Sequence, residues 1–208
     1  MHGDYGANIG KVIAIRKDLP SLLKAYAAAG SDARMNGCEL PVVINSGSGN
    51  QGLTVSVPLI VYAEREHLDK EKLYRALVIS NLTAIHLKTE IGRLSAFCGA
   101  VSAGAACGAG LAYLKDASEE VMNHTIVNAL AITSGIICDG AKASCAAKIA
   151  VSVEAGILGY DMYMNGQQFY GGDGIISKGI ENTIHNIGVL GSQGMASTDQ
   201  EIIKIMCE

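Results

Sequence analysis

A run of small residues sets the first limit on this fold. Between positions 92 and 114 the chain is dominated by Ala, Gly and Ser, with glycines at 99, 104, 108 and 110. Glycine inside a helix costs roughly 0.5–1 kcal/mol relative to alanine, so four of them need a compensation from packing. Close approach of neighbouring backbones supplies it. The stretch is read as a central helix with others pressed tightly against it. The rest of the composition agrees. Trp is absent, Phe numbers 2, and hydrophobic residues make up 49% of 208 positions. A core this poor in aromatics is built from Ala, Ile, Leu and Val, which suits packed helices better than a sheet sandwich. The expectation is an all-α fold in a single compact helical domain over 1–208, with no internal repeat and no linker.

The elements follow from periodicity and punctuation. Residues 9–29 predict a first helix, kinked or divided at Pro20 and ended at Gly30. Residues 53–62 are an apolar run that periodicity cannot assign to helix or strand. Residues 67–88 predict a helix capped by Asp69, with Leu73, Leu77, Leu82 and Ile85 on its apolar face. Ser118 opens a further helix to about Gly135. A helix to about Leu158 follows the Cys138 turn, residues 165–174 form a loop, and 175–190 and 198–206 close the chain.

A net charge of −4 without a Lys/Arg cluster argues against nucleic acid as a partner. No apolar stretch is long or continuous enough to span a bilayer. The amino-terminal residues lack the basic and apolar regions of a signal peptide. A cytoplasmic protein is expected. Six cysteines there point to packing, metal ligation or catalysis rather than disulfides.

Three segments gather reactive side chains in apolar surroundings. Asn45-Ser-Gly-Ser-Gly-Asn-Gln-Gly52 exposes backbone N–H groups beside neutral donors, so Asn45, Ser46, Gly47, Ser48, Gly49 and Asn50 could cradle a carboxylate or phosphate. Turn chemistry alone also explains such a composition. It lacks the closing Gly-Lys-Ser/Thr of a phosphate-binding Walker loop. The second segment is Arg93-Leu-Ser-Ala-Phe-Cys98-Gly, and the third is Cys138-Asp-Gly-Ala-Lys-Ala-Ser-Cys145. In the third, Cys138 is expected in an entering turn, Asp139 or Gly140 at the helix cap, and Cys145 on the second turn of that helix. That spread suits a multi-iron cluster better than a single zinc. A lone cysteine is most often a small buried hydrophobe. Cys107 and Cys207 are read so, Cys38 is left open, and His86 is read as structural.

Together these three motifs resemble the L-cysteine desulfidase family, the serine dehydratase-like alpha chains. Asn186-Ile-Gly-Val-Leu-Gly191 and the tail from Met195 to Met206 add to the likeness, which covers essentially all 208 residues. The resemblance is to the carboxy-terminal half of proteins normally about twice as long. It implies a helical catalytic domain whose [4Fe-4S] cluster is held by Cys98, Cys138 and Cys145, with one iron open to substrate. The implied reaction is α,β-elimination from L-cysteine or L-serine, giving pyruvate, ammonia and sulfide or water. No catalytic base is assigned; Lys142 could add charge near the cluster turn. An amino-terminal partner chain or a homo-oligomer is implied, with an apolar surface where the other half would sit. A non-catalytic cluster- or metal-binding subunit and an inactive remnant are the alternatives.

Overall fold

The computed structural model describes residues 3–208, so Met1 and His2 of the amino-terminal stretch lie outside it. Its elements are helices α1 (Ile9–Ile13), α2 (Leu19–Met35), α3 (Gly49–Arg65), α4 (Lys70–Ile91), α5 (Gly99–Leu114), α6 (Glu119–Thr133), α7 (Cys145–Met164) and α8 (Ile180–Val189). A π-helical turn (Leu190–Gly194) and α9 (Ala196–Cys207) follow. Among the described residues the only extended pairings are isolated bridges. The protein is all-α and forms a single compact domain.

Helix α5 is the axis. Fourteen of its sixteen residues are buried, and α3, α4, α6 and α7 pack around it. The glycines locate its tightest crossing. A Cβ on Gly104 would lie 2.3 Å from the Ser152 carbonyl oxygen, and one on Gly108 would lie 2.8 Å from the Gly156 Cα. Gly156 is equally close to Gly104 from the α7 side. Backbone therefore meets backbone, and the dispersion gained offsets the entropic cost of three mid-helix glycines.

Local signals placed several boundaries. Asp18 caps α2 through the Ser21 N–H, which separates α1 from α2 and puts Pro20 in the first turn, where its missing N–H costs nothing. Asp69 caps α4 by accepting from Lys72, and Ser118 caps α6 by accepting from Val121. The undecided run at 53–62 is helix, within α3, with Pro58 inside it.

Other boundaries move. Gly30 does not end α2, because its missing side chain makes room for Leu53 of α3 and the helix runs on to Met35. Helix α5 begins at Gly99 rather than 92. Residues 92–98 instead form an extended connection, with Phe97 bridging Ile137. Helix α8 begins at Ile180, after a longer loop than expected. Helix α4 turns a different face inward: Ala76, Ser80, Ala84, Leu87 and Ile91 are buried, whereas Leu82 and Ile85 point outward. His86 is structural, accepting or donating at 2.8 Å with Glu181 to tie α4 to α8.

Candidate functional site

The Phe97–Ile137 bridge does the first piece of assembly. The Cys98 N–H donates to the Ile136 carbonyl at 3.1 Å, and the Cys138 N–H donates to Ala96 at 2.6 Å. Two segments forty residues apart are thus zipped together, and Cys98 and Cys138 stand side by side at one cavity. From Cys138 the chain turns at Gly140, where φ is +92°. It enters α7 with Cys145 as the first helical residue, one turn earlier than expected. Neither Asp139 nor Gly140 caps that helix. Asp139 instead pairs with Lys142 and Lys148, which hold its carboxyl at about 2 and staple the turn to α7. Lys148 also donates to the Ile137 carbonyl at 2.9 Å. The Cys145 thiol faces the Gly140 carbonyl at 3.7 Å.

All three cysteines line one cavity of about 300 Å³. Its opposite wall is the polar loop. Asn45 and Ser48 exchange backbone hydrogen bonds around Ser46 and Gly47, both at positive φ, in a two-residue turn. Ser48 then caps α3 through the Gln51 N–H. The expected residues divide accordingly. Gly47, Ser48 and Asn50 line the cavity. Asn45 is buried and donates to Asn81 of α4 at 3.0 Å, while Ser46 donates to Asn45, so both lock the turn. Gly49 leaves space for Arg34, since a Cβ there would lie 2.4 Å from its guanidinium. Arg34 donates to Asn50 at 3.2 Å and reaches the cavity. Lys142 does not line it, Cys38 lies elsewhere, Cys107 is fully buried and Cys207 is on the surface.

Three residues outside the motifs join the lining, Arg34, Lys88 and Lys148, together with Gln51 at the end of the polar loop. Lys88 is nearly buried on the inner face of α4. Burial lowers its pKa, opposed by the neighbouring Cys138 and Cys98 thiols. Gln51 fits because Gly99 has no side chain, and its buried Oε1 has no hydrogen-bond partner.

The electrostatics point one way. The amino termini of α3, α5 and α7 all open on this cavity, each carrying positive potential from a helix of at least sixteen residues. Arg34, Lys88, Arg93 and Lys148 add cations, and the described lining residues include no Asp, Glu or His. The adjacent Cys98 thiol pushes Cys138 down to about 6, while Cys98, beside it and buried, is pushed up. Such a pocket stabilises thiolates and carboxylates.

Among the described residues, no three His, Cys, Asp or Glu side chains close on a point that one metal ion could occupy. The three thiols instead border a cavity with cations on its walls, a donor set and charge suited to an anionic group larger than one ion. Among the described residues no helix is long and apolar enough to cross a membrane.

Comparison with known proteins finds relatives along the whole chain. The model of the serine dehydratase alpha chain family matches residues 2–204. A UPF0597 protein of Desulfitobacterium hafniense is 64% identical over 99% of this chain and 48% of its own length. UPF0597 proteins of Lachnoclostridium phytofermentans and Finegoldia magna are each 53% identical over 99% of this chain and 50% of their own. The chain thus spans about half the length of the curated relatives it matches. No solved structure matches it. With the family model matched from one end of the fold to the other, the chain belongs to the serine dehydratase alpha chain family.

Proposed function

We propose that this chain is the cluster-bearing part of an iron–sulfur lyase that removes the β-substituent and α-proton from L-cysteine or L-serine. The observation that carries the reading is the meeting of Cys98, Cys138 and Cys145 with the Ser48–Asn50 loop around one cationic cavity. In this reading the three thiolates hold a [4Fe-4S] cluster. When bound, the cluster supplies an open iron, a Lewis acid for the departing sulfur or oxygen.

The chain's own residues do the rest. Ser48, Asn50 and the α3 amino terminus offer donors to the substrate carboxylate, with Arg34 held beside them by Asn50. Asn45 and Ser46 keep that turn in place. Lys88 and Lys148 offset the negative charge of thiolates and substrate together. With cysteine, the C–S bond breaks as the α-proton leaves, giving aminoacrylate and sulfide. Water then converts the aminoacrylate to pyruvate and ammonia. With serine, the C–O bond breaks and water leaves in place of sulfide.

A cluster-holding subunit without turnover of its own is the second reading. It is favoured by the lack of any carboxylate or imidazole among the described lining residues to accept the α-proton. In either reading the part of the relatives that this chain does not span is the expected partner, on a separate chain or as a second half.

Anaerobic reconstitution with iron and sulfide, followed by assay of sulfide and pyruvate from L-cysteine, tests the proposal. Turnover by the chain, alone or with that partner, is expected, and Cys138→Ser should abolish it. Cluster binding without turnover in either preparation would leave the second reading.

A further inference from the structure

We infer that the outward face of α4, together with the extended segment before the Ser48–Asn50 loop, is the seat of the half that the relatives have in addition to this chain. The inference rests on the partner reading above and adds where that partner sits.

The argument starts with a helix apolar on two sides. One face of α4 is buried against α5. On the other, Tyr74, Val78, Leu82 and Ile85 follow one another at helical spacing and are 46–59% exposed. An apolar stripe on the outer side of a helix whose other side already packs in the core is surface that a partner can bury. The stripe is about 16 Å long at 1.5 Å per residue, and it does not stand alone. Asn81, within the same helix, receives both hydrogen bonds of the Asn45 side chain. This places the extended segment beside α4, with Val43 and Ile44 81% and 65% exposed. Single exposed apolar residues are ordinary, but a contiguous patch of six marks an interaction surface.

Two observations choose the occupant. The curated relatives are about twice as long as this chain at 48–50% coverage, so each carries a body of comparable size that must lie against some face of this one. The patch also runs directly into the turn that forms one wall of the cysteine cavity, through Asn45. A body seated there overhangs the cavity, whose described lining holds cations and thiols but no carboxylate or imidazole.

The test is to co-express this chain with the half of the Desulfitobacterium hafniense relative that it does not span, and to measure the complex by size-exclusion chromatography. Wild type should co-elute with that half. The exposed-face double variant Val78→Asp/Leu82→Asp should keep its helical circular dichroism and melting temperature, yet lose at least about tenfold in affinity, as expected for centrally placed interface residues. Met164→Asp, an equally exposed apolar position at the far end of α7, should bind as wild type. No complex with wild type, undiminished binding by the double variant, equal loss in Met164→Asp, or a homodimer that the double variant disrupts would each overturn the inference. Iron content and L-cysteine turnover are read separately. A complex that forms through α4 but releases no sulfide would sink the lyase reading and leave the docking surface standing.

Discussion

Three residues decide how the cavity handles charge. Cys138 stands beside Cys98, which lowers the Cys138 thiol while its own is raised. The folded value of Cys138 lies below the ordinary thiol range, so the thiolate persists above about pH 6 and is lost as pH falls through it. Iron-free protein should therefore be alkylated by iodoacetamide at Cys138 with a half-maximal rate near pH 6, and peptide mapping reads the site. A midpoint at about 8.5, the value of a free cysteine, would show that the two thiols do not pair. Lys88 is the third residue. Lys88→Gln should raise the KM for L-cysteine about tenfold, the scale of one charge-assisted hydrogen bond, with little change in melting temperature. The three cysteines were legible only together, through the family resemblance, because the spacing of either thiol motif alone is a weak signal. Lys88 and Arg34 were not, since each lies outside the three motifs and reaches the cavity only through the packing of α4 and α2. A signal for Lys88 existed: it is the one charge on the stripe Ala84, Leu87 and Ile91 that faces inward.

At the scale of elements, the informative features were short-range. Asp69 and Ser118 marked helix starts because a cap is a contact between residues three apart. The beginning of α5 was misplaced because its boundary is made by a distant partner, Ile137, which draws residues 96–98 into a bridge. The same bridge brings two cysteines together, so the site and the misplaced boundary have one cause. The inward face of α4 was missed because small residues, Ala76, Ser80 and Ala84, pack there, while larger Leu82 and Ile85 face out. The glycines of α5 give a direct check on the packing argument. Gly104→Ala forces a methyl onto the Ser152 carbonyl and should destabilise the fold by about 1–3 kcal/mol, as overpacking does. Gly135→Ala, where a Cβ meets nothing within 4 Å, should leave thermal unfolding almost unchanged. Equal melting temperatures for the two variants would contradict the close crossing of α5 and α7.

For the whole molecule, the composition foretold an all-helical fold with backbones in close contact, and the order of motifs pointed to the family. What no local pattern could convey is convergence. Three helix amino termini, two loops and a buried lysine meet only because α3, α4 and α7 all pack on α5. The protein carries a net charge of −4, yet its one thiol-lined cavity is walled by cations. That contrast is the strongest sign that the cavity is built for an anionic occupant. The most direct test of the central claim counts iron and acid-labile sulfide in anaerobically reconstituted protein, beside its charge-transfer absorbance. The account predicts about four irons per chain in wild type and in Cys107→Ser, as for a [4Fe-4S] centre, and loss of both iron and absorbance in Cys98→Ser, Cys138→Ser and Cys145→Ser. A wild-type protein that takes up no iron, or a Cys138→Ser variant that keeps a full cluster, would contradict it.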